Sequence, residues 1–334
     1  MENQKTPRQR AIFCVGEEPY CLWDPDIISL NFEFLDRIDP QYYEFIADSN
    51  RAHLDSDNKH RSATAMRSGF YHGLETLFAL VCSALQAPDS IAGWMLKYQN
   101  SLLRKMISSI TSHTADFPHK LIIYPITWNS ISKSVFEHIN LPPPEKDAYV
   151  ALFAQLWSRF AEIFVDESNI AEYNSIKHGL RTGSGGFALA MGIEEQFGVP
   201  APADKMHLIG SNEFSHSFYR IQPVGNLKQN PKIKLVHHSL AWSPSALGYA
   251  LELISFSLQN LIVFIKILNG VDPSTVPFAV PEDKESFNKP FEESPSLPSM
   301  SLQFETNIPD NRLYTREQLI DIVEKNKSAT KPSA

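Results

Sequence analysis

The chain has 334 residues, of which 43% are hydrophobic and 20% are charged, a balance typical of a soluble globular protein with a buried core. Its net charge of -8 argues against a surface that binds nucleic acid over its whole extent, because such domains are strongly basic. Its three cysteines are too few for a disulfide framework and lack zinc-ligand spacing. We therefore expect a cytoplasmic protein with no metal site and no cofactor.

The first part of the chain predicts a lead-in followed by helices. Residues 1–38 alternate loosely between apolar and polar positions, which predicts an irregular segment with at most a short strand. Asp39 and Pro40 predict a helix start, because aspartate caps helices and proline fits the first helical turn. The clearest helix is predicted over residues 62–86, where apolar residues recur every three or four positions.

Two further helices and one strand are predicted before residue 183. Apolar side chains among polar ones favour a helix over residues 91–110. Residues 120–128 predict a strand, and Pro125 places it at a sheet edge because proline cannot donate to a neighbouring strand. Aromatic residues at helical spacing predict another helix from about residue 144, which resumes or continues through His178.

The pattern changes at a run of glycines. Gly183, Gly185 and Gly186 predict the end of the preceding helix, and Gly183, Gly185 and Ala188 also match a Gly-x-Gly-x-x-Ala pattern. Because that pattern follows a helix rather than a strand, it indicates a helix stop and not a dinucleotide site. Alternating residues between 187 and 242 predict short strands of an accessory sheet.

A long apolar helix follows this sheet. Ser243 as cap and Pro244 in the first turn predict its start, and Glu252 and Lys266 interrupt its apolar stretch. A charged residue at membrane depth costs roughly 3 kcal/mol, so we interpret this helix as a core helix and expect no membrane contact. The predicted fold class is mainly α: a helical bundle over residues 39–270 with a small accessory β element.

The C-terminal segment, residues 271–334, predicts a disordered tail. Seven prolines lie between residues 272 and 311, and this composition cannot offset the roughly 1 to 2 kcal/mol of backbone entropy lost per ordered residue. Thr315 and Gln318 form a capping-box pattern before a short amphipathic helix. Such a helix is marginal alone, so residues 315–326 predict a protein partner or a docking site.

The best candidate for function is a polar stripe near residue 178. Asn174, Lys177, His178 and Arg181 are spaced so that a continuous helix would place all four on one side. Lysine and arginine supply positive charge for a phosphate group, and histidine moves a proton near neutral pH. The alternative is structural, because cations near a helix C-terminus stabilise the helix dipole and cap its free carbonyls.

Three residues of the clearest helix also carry candidate chemistry. Glu75 is its only charged residue between Gly69 and Gln86, so we expect either a structural ion pair with Lys177, His178 or Arg181, or a general base. Arg67 and His72 show the Arg-x(4-6)-His spacing of metal-independent helical ribonucleases, which chance also supplies in a chain with 11 histidines. His216, His237 and His238 show no metal-ligand spacing.

The helix RSGFYHGLETLFALVCSAL, followed by EYNSIKHGLR, resembles the HEPN superfamily of helical domains over about residues 60–180. Asn174, Lys177 and His178 match the family's Asn-x-x-Lys-His motif, and Arg67 and His72 match its Arg-x(4-6)-His motif. The resemblance implies a protein that binds RNA or a nucleotide, with a homodimer compatible with the family and a role in defence or stress response.

Some members cleave RNA without a metal. In that case His178 would transfer the proton, Lys177 and Arg181 would stabilise the phosphate charge, and Asn174, Arg67, His72 and Glu75 would contribute to binding. Arg67 stands on an early helix, whereas the ribonuclease motif stands on a late one. The alternative function is a non-catalytic helical scaffold that recruits a partner through its tail.

Overall fold

The computed structural model describes residues 10–194, 196–223, 233–302 and 314–329. The chain forms two compact units, each built from two stretches of sequence. Unit 1 consists of Met1–Lys177 and Trp242–Ser294, and unit 2 consists of His178–Ala241 and Pro295–Ala334.

Unit 1 begins with an antiparallel hairpin of β1 (Arg10–Val15) and β2 (Glu18–Trp23), followed by α1 (Ile27–Asp36). The strands turn at Gly16, whose φ of 65° lies in the left-handed region that glycine adopts without strain. Alternate β1 side chains are buried, and Asp26 caps α1 by accepting from the Ser29 amide. The predicted irregular lead-in is therefore wrong over these residues; residues 1–9 lie outside the described part.

The rest of unit 1 is helical. Its helices are α2 (Gln41–Arg51), α3 (Lys59–Gln86), α4 (Ile91–Lys97), α5 (Asn100–Thr111), α6 (Trp128–Val135), α7 (Pro143–Val165), α8 (Glu167–Lys177), α9 (Pro244–Leu268) and α10 (Lys289–Glu292).

Helices α3 and α9 form the centre of the core, as their apolar patterns predicted. Close approach favours glycine at position 73 of α3, since a Cβ there would lie 3.0 Å from the Cγ2 atom of Ile254 on α9. Ser243 caps α9 by accepting a hydrogen bond from the Ala246 amide at 3.2 Å, which confirms the predicted helix start. The indole of Trp157 on α7 donates to Ser257 on α9 at 3.0 Å.

Helices α7 and α9 are both long and apolar enough to cross a membrane by length and composition. Half of the tested window in α7 and 67% of that in α9 are buried inside the protein. This burial agrees with the interpretation of α9 as a core helix and is consistent with a soluble protein.

Two further local predictions are wrong in unit 1. The helix expected over residues 91–110 is interrupted at Tyr98 and Gln99, which are extended and separate α4 from α5. Residues 120–127 form no strand; they are irregular and lead into α6, whose capping box is made by Thr127 and Ser130. The apolar run there resembles a strand locally, but no neighbouring strand pairs with it among the described residues.

Much of the predicted disordered tail is ordered. Residues 271–294 pack on unit 1: the Tyr149 hydroxyl donates to the Pro281 carbonyl at 2.9 Å, and Asn260 hydrogen bonds both backbone groups of Ala279. Phe287 is buried. The proline count alone led to the wrong prediction, because side chains of unit 1 hydrogen bond the backbone of these residues and hold them in place. Residues 303–313 and 330–334 lie outside the described part.

Unit 2 holds an antiparallel sheet in the order β3-β4-β5-β6. Its strands are β3 (Gly183–Met191), β4 (His207–Pro223), β5 (Ile233–Ala241) and β6 (Ser299–Leu302). The strands predicted between residues 187 and 242 are confirmed, although β4 extends over 17 residues. Helix α11 (Arg316–Ala329) follows, with the predicted Thr315 and Gln318 capping contacts at 2.9 and 3.4 Å.

The predicted fold class, a mainly helical bundle, is wrong. The structure is 54% helical and 18% strand, a mixed α/β arrangement with a sizeable sheet. The sequence pattern underestimates the strand content because β1 and β2 alternate only loosely between apolar and polar residues and β6 lies inside a proline-rich segment.

Candidate functional site

The helix that was predicted to carry the polar stripe ends early. Helix α8 stops at Lys177, and Gly179 and Leu180 follow with positive φ angles of 104° and 50°. Glycine in the left-handed conformation is a common helix terminator, whereas leucine rarely adopts it. The Gly183–Gly186 segment, predicted as the helix stop, instead belongs to β3.

This early end assigns the four residues of the predicted stripe to two different units. Asn174 and Lys177 lie on α8 in unit 1, while His178 and Arg181 lie beyond the helix in unit 2. The prediction of one continuous helical stripe is therefore wrong.

Glu75 and Lys177 form the centre of a different arrangement. The Lys177 Nζ atom lies 3.6 Å from the Glu75 Oε2 atom, which confirms one of the ion pairs predicted for Glu75. The Glu75 side chain is 13% exposed and that of Lys177 is 42% exposed, so the pair reaches from the core to the surface. An ion pair this close to solvent contributes at most about 1 kcal/mol of stability.

Two tyrosines lie near the same carboxylate. The Tyr98 hydroxyl, at the end of α4, donates to the Glu75 Oε1 atom at 3.5 Å, and Tyr173 on α8 is close enough for the charge of Glu75 to act on its hydroxyl. Burial raises the pKa of Tyr98 and of Tyr173, and the negative charge of Glu75 raises both further. Both phenols therefore stay protonated and act as hydrogen-bond donors at neutral pH.

Arg104 on α5 completes this group of side chains. Burial lowers the pKa of Arg104, while the charge of Glu75 opposes that effect. Within the described residues, the Arg104 Nε and Glu75 Oε2 atoms are shielded from solvent and have no hydrogen-bond partner. Most such atoms in native proteins bond to protein, water or a ligand. We call Glu75, Tyr98, Arg104, Tyr173 and Lys177 the Glu75 cluster.

A histidine stands beside the Glu75 cluster. His72 is exposed, and its Nδ1 atom lies 3.1 Å from the hydroxyl of Tyr43, which is itself 3.0 Å from the Thr76 hydroxyl. Desolvation by the surrounding protein lowers the pKa of His72. The negative charge of Glu75 raises this pKa, and the positive charge of Lys177 lowers it. The imidazole is therefore neutral at pH 7. Burial raises the pKa of Tyr43 to about 12.

Arg67 belongs to a separate, buried network. Its Nε and terminal nitrogen lie 3.2 and 2.9 Å from the Glu172 Oε2 atom, and the Tyr71 hydroxyl donates to the same oxygen at 2.7 Å. Trp242 donates its indole N–H to Glu172 at 3.1 Å, and the Asn169 side chain accepts from Arg67 at 3.0 Å. Helix α3 is continuous here, so Arg67 and His72 point into different surroundings and do not form a joint site.

The sequence analysis missed Tyr98, Arg104 and Tyr173. Tyr173 and Lys177 are four residues apart on α8, and that spacing alone places them on one helix face. Tyr98 and Arg104 carried no comparable signal, because their positions depend on the break between α4 and α5.

The Glu75 cluster combines one acceptor with several donors. Glu75 supplies a carboxylate, Tyr98 and Tyr173 supply hydroxyls, and Lys177 and Arg104 supply positive charge. Side chains with perturbed pKa values that converge on one partly open place are typical of functional sites, although structural networks share this property. Among the described residues, no group of three His, Cys, Asp or Glu side chains could hold a metal ion.

Comparison of the chain with protein-family models, with curated proteins and with solved structures finds no match. The geometry of the Glu75 cluster and the residues themselves therefore carry the functional argument.

Proposed function

We propose that this chain is a HEPN-like cytoplasmic protein that binds RNA or a nucleotide at the Glu75 cluster. The observation that supports this proposal is the convergence of a carboxylate lacking one hydrogen-bond partner with an exposed lysine and a partly buried arginine. A ribonucleotide presents hydroxyls and a phosphate, the groups that such a mixed set of side chains can bind together.

The ribose supplies the donors that Glu75 lacks. The Glu75 Oε2 atom accepts no hydrogen bond within the described residues and is covered by protein, with the Lys177 Nζ atom 3.6 Å away. A ribose hydroxyl is a neutral donor that reaches this carboxylate oxygen once the half-exposed Lys177 side chain turns outward. The Lys177 side chain is 42% exposed and supplies the positive charge for a phosphate. Because the 2'-hydroxyl distinguishes RNA from DNA, the proposal predicts a preference for ribonucleotides.

Binding is tested by titrating the protein with ATP, dATP, and a single-stranded RNA and DNA of one sequence, using calorimetry in the presence of a chelator. Lys177→Met should weaken ATP binding about tenfold or more, because a charge-assisted hydrogen bond is worth about 1.5–3 kcal/mol. Glu75→Gln should remove the preference for ATP over dATP. Lys133→Met changes an exposed lysine on α6 and serves as the matched control.

The outcome decides the proposal. Failure of every nucleotide and RNA to bind at millimolar concentration would contradict it. Equal losses in Lys177→Met and Lys133→Met would assign binding to general surface charge instead of the Glu75 cluster.

Cleavage of RNA is the catalytic form of this proposal. The HEPN resemblance implies proton transfer by His178, and a second candidate is His72, a neutral imidazole beside the Glu75 cluster. General acid-base catalysis contributes typically 10²- to 10⁴-fold, so the responsible histidine is identified by comparing His178→Ala with His72→Ala on total RNA in chelator. Unchanged turnover in both variants would exclude proton transfer by either side chain.

A non-catalytic scaffold is the alternative function, and a specific observation favours it. Lys177 is paired with Glu75, so this cation of the predicted stripe already has a partner inside the protein. Ile320, Ile322 and Val323 on α11 are 40–52% exposed, as expected of a helix that contacts a partner. Absence of nucleotide binding together with capture of a partner that depends on residues 315–326 would support the scaffold.

A further inference from the structure

The sheet of unit 2 exposes an apolar face. Tyr219 pairs with His237 and Ile221 pairs with Leu235, so Tyr219, Ile221, Ile233 and Leu235 project from the same side of β4 and β5. Their exposed fractions are 66%, 65%, 54% and 62%. We call these four residues the apolar sheet face. An exposed apolar patch of this kind marks an interaction site.

Helix α11 carries a second exposed apolar surface. Leu319, Ile320, Ile322 and Val323 lie on one side of the helix, and the last three are 49%, 40% and 52% exposed. A helix of 14 residues is marginal in water unless its apolar side is packed. The helix therefore requires a docking surface.

The chain connects the two surfaces at short range. Strand β6 ends at Leu302, which pairs with His237, two residues along β5 from Leu235 of the apolar sheet face. Residues 303–315 join this point to the first residue of α11, and a chain of that length reaches up to roughly 45 Å when extended. A linkage of this length raises the local concentration of α11 at the sheet to the order of millimolar.

We propose that α11 docks on the apolar sheet face of its own chain, as a strap that packs its four apolar side chains over β4 and β5. The composition of the two surfaces fits, because the apolar sheet face contains no charged residue and the charged residues Asp321, Glu324 and Lys325 lie on the other side of α11. The short linkage favours the helix of the same chain over that of a second copy. This docking is independent of the function proposed for unit 1.

Hydrogen–deuterium exchange of the full chain tests the docking. Amides of residues 319–326 should exchange at least about tenfold more slowly in the wild type than in Leu235→Asp, because the aspartate removes the surface without changing the helix. Ile221→Asp should have the same effect. Ile209→Asp is the matched control, since Ile209 is also apolar, 51% exposed and on β4, but lies outside the apolar sheet face.

Each outcome decides the proposal. Slow exchange that is independent of protein concentration and lost in Leu235→Asp and Ile221→Asp, but not in Ile209→Asp, supports docking within one chain. Protection that rises with concentration alongside a dimer in light scattering would overturn it in favour of a second copy. Fast exchange in the wild type, or protection retained in both sheet variants, would overturn docking on this face.

Discussion

The Arg67–Glu172 ion pair allows a quantitative test of what stabilises unit 1. Glu172 is fully buried and Arg67 is 6% exposed, and the carboxylate accepts hydrogen bonds from Arg67, Tyr71 and Trp242. Replacing Arg67 with methionine keeps most of the side-chain volume but removes the charge that neutralises Glu172. Breaking a buried ion pair from one side typically costs about 3–5 kcal/mol, a large share of the roughly 5–15 kcal/mol that stabilises a domain.

The double variant Arg67→Met with Glu172→Leu measures how much of the cost of Arg67→Met comes from leaving the Glu172 charge unpaired. Replacing both charges removes the unpaired carboxylate, and the Tyr71 hydroxyl keeps Asn169, which lies 2.8 Å away, as its acceptor. The Trp242 indole N–H then loses its hydrogen bond to Glu172, at a cost of about 1–3 kcal/mol. We therefore expect the double variant to be at least about 1 kcal/mol more stable than Arg67→Met alone.

Urea unfolding followed by tryptophan fluorescence measures these free energies. All five tryptophans lie in unit 1, so the signal reports that unit without a contribution from unit 2. A cost below about 1 kcal/mol for Arg67→Met, or simple additivity of the two single changes, would refute the argument that this buried pair is energetically coupled.

Three further predictions concern protonation and close packing. The pKa of His72 is lower in the folded chain, so the unfolded chain binds more protons below about pH 6.5 and stability should fall as the pH drops from about 7 to 5. His72→Gln should flatten this decline, measured as the urea midpoint at each pH. An unchanged slope would contradict the prediction. Glu75→Gln should lower the pKa of Tyr98 and Tyr173, because the charge of Glu75 raises both. In an alkaline titration, phenolate absorbance should then appear at a lower pH than in the wild type. An unshifted titration would show that Glu75 does not act on these tyrosines. Gly186→Ala should destabilise unit 2 by about 1–3 kcal/mol or more, because a Cβ there would collide with the Asn212 carbonyl oxygen. Hydrogen exchange of β4 should accelerate while tryptophan-monitored unfolding stays constant, and unchanged exchange would contradict the clash.

Local sequence patterns predicted the long elements well. Helices α3, α7 and α9 and strands β3 to β5 carry many apolar residues at one clear period, and each is confirmed. The errors concern short elements whose conformation depends on distant contacts. Strand β6 forms because it pairs with β5, more than 50 residues earlier, and residues 271–294 are ordered by hydrogen bonds to Tyr149 and Asn260. Local composition cannot predict these contacts, because they join residues that are far apart in the sequence.

The candidate site was predictable only in part. An isolated carboxylate on an apolar helix requires a partner, and this argument correctly identified Lys177 for Glu75. The predicted stripe failed because spacing on an ideal helix assumes that the helix continues, whereas Gly179 and Leu180 end it. Gly179, directly after Lys177 and His178, is itself a typical helix terminator. The glycines at positions 183, 185 and 186 form a more obvious helix stop, so the predicted helix end lies too late.

The two polar groups of unit 1 are connected through α8. Glu172 and Tyr173 are neighbours in sequence and point in directions about 100° apart, so a single helical turn serves both groups. Glu172 binds the buried Arg67, while Tyr173 lies within the electrostatic influence of Glu75 and packs its ring 5.2 Å from that of Tyr71. The ion pair therefore fixes the rotation of α8 about its axis. Because Lys177 lies one turn after Tyr173, that rotation also sets the distance between Lys177 and Glu75, so the buried pair positions the candidate site.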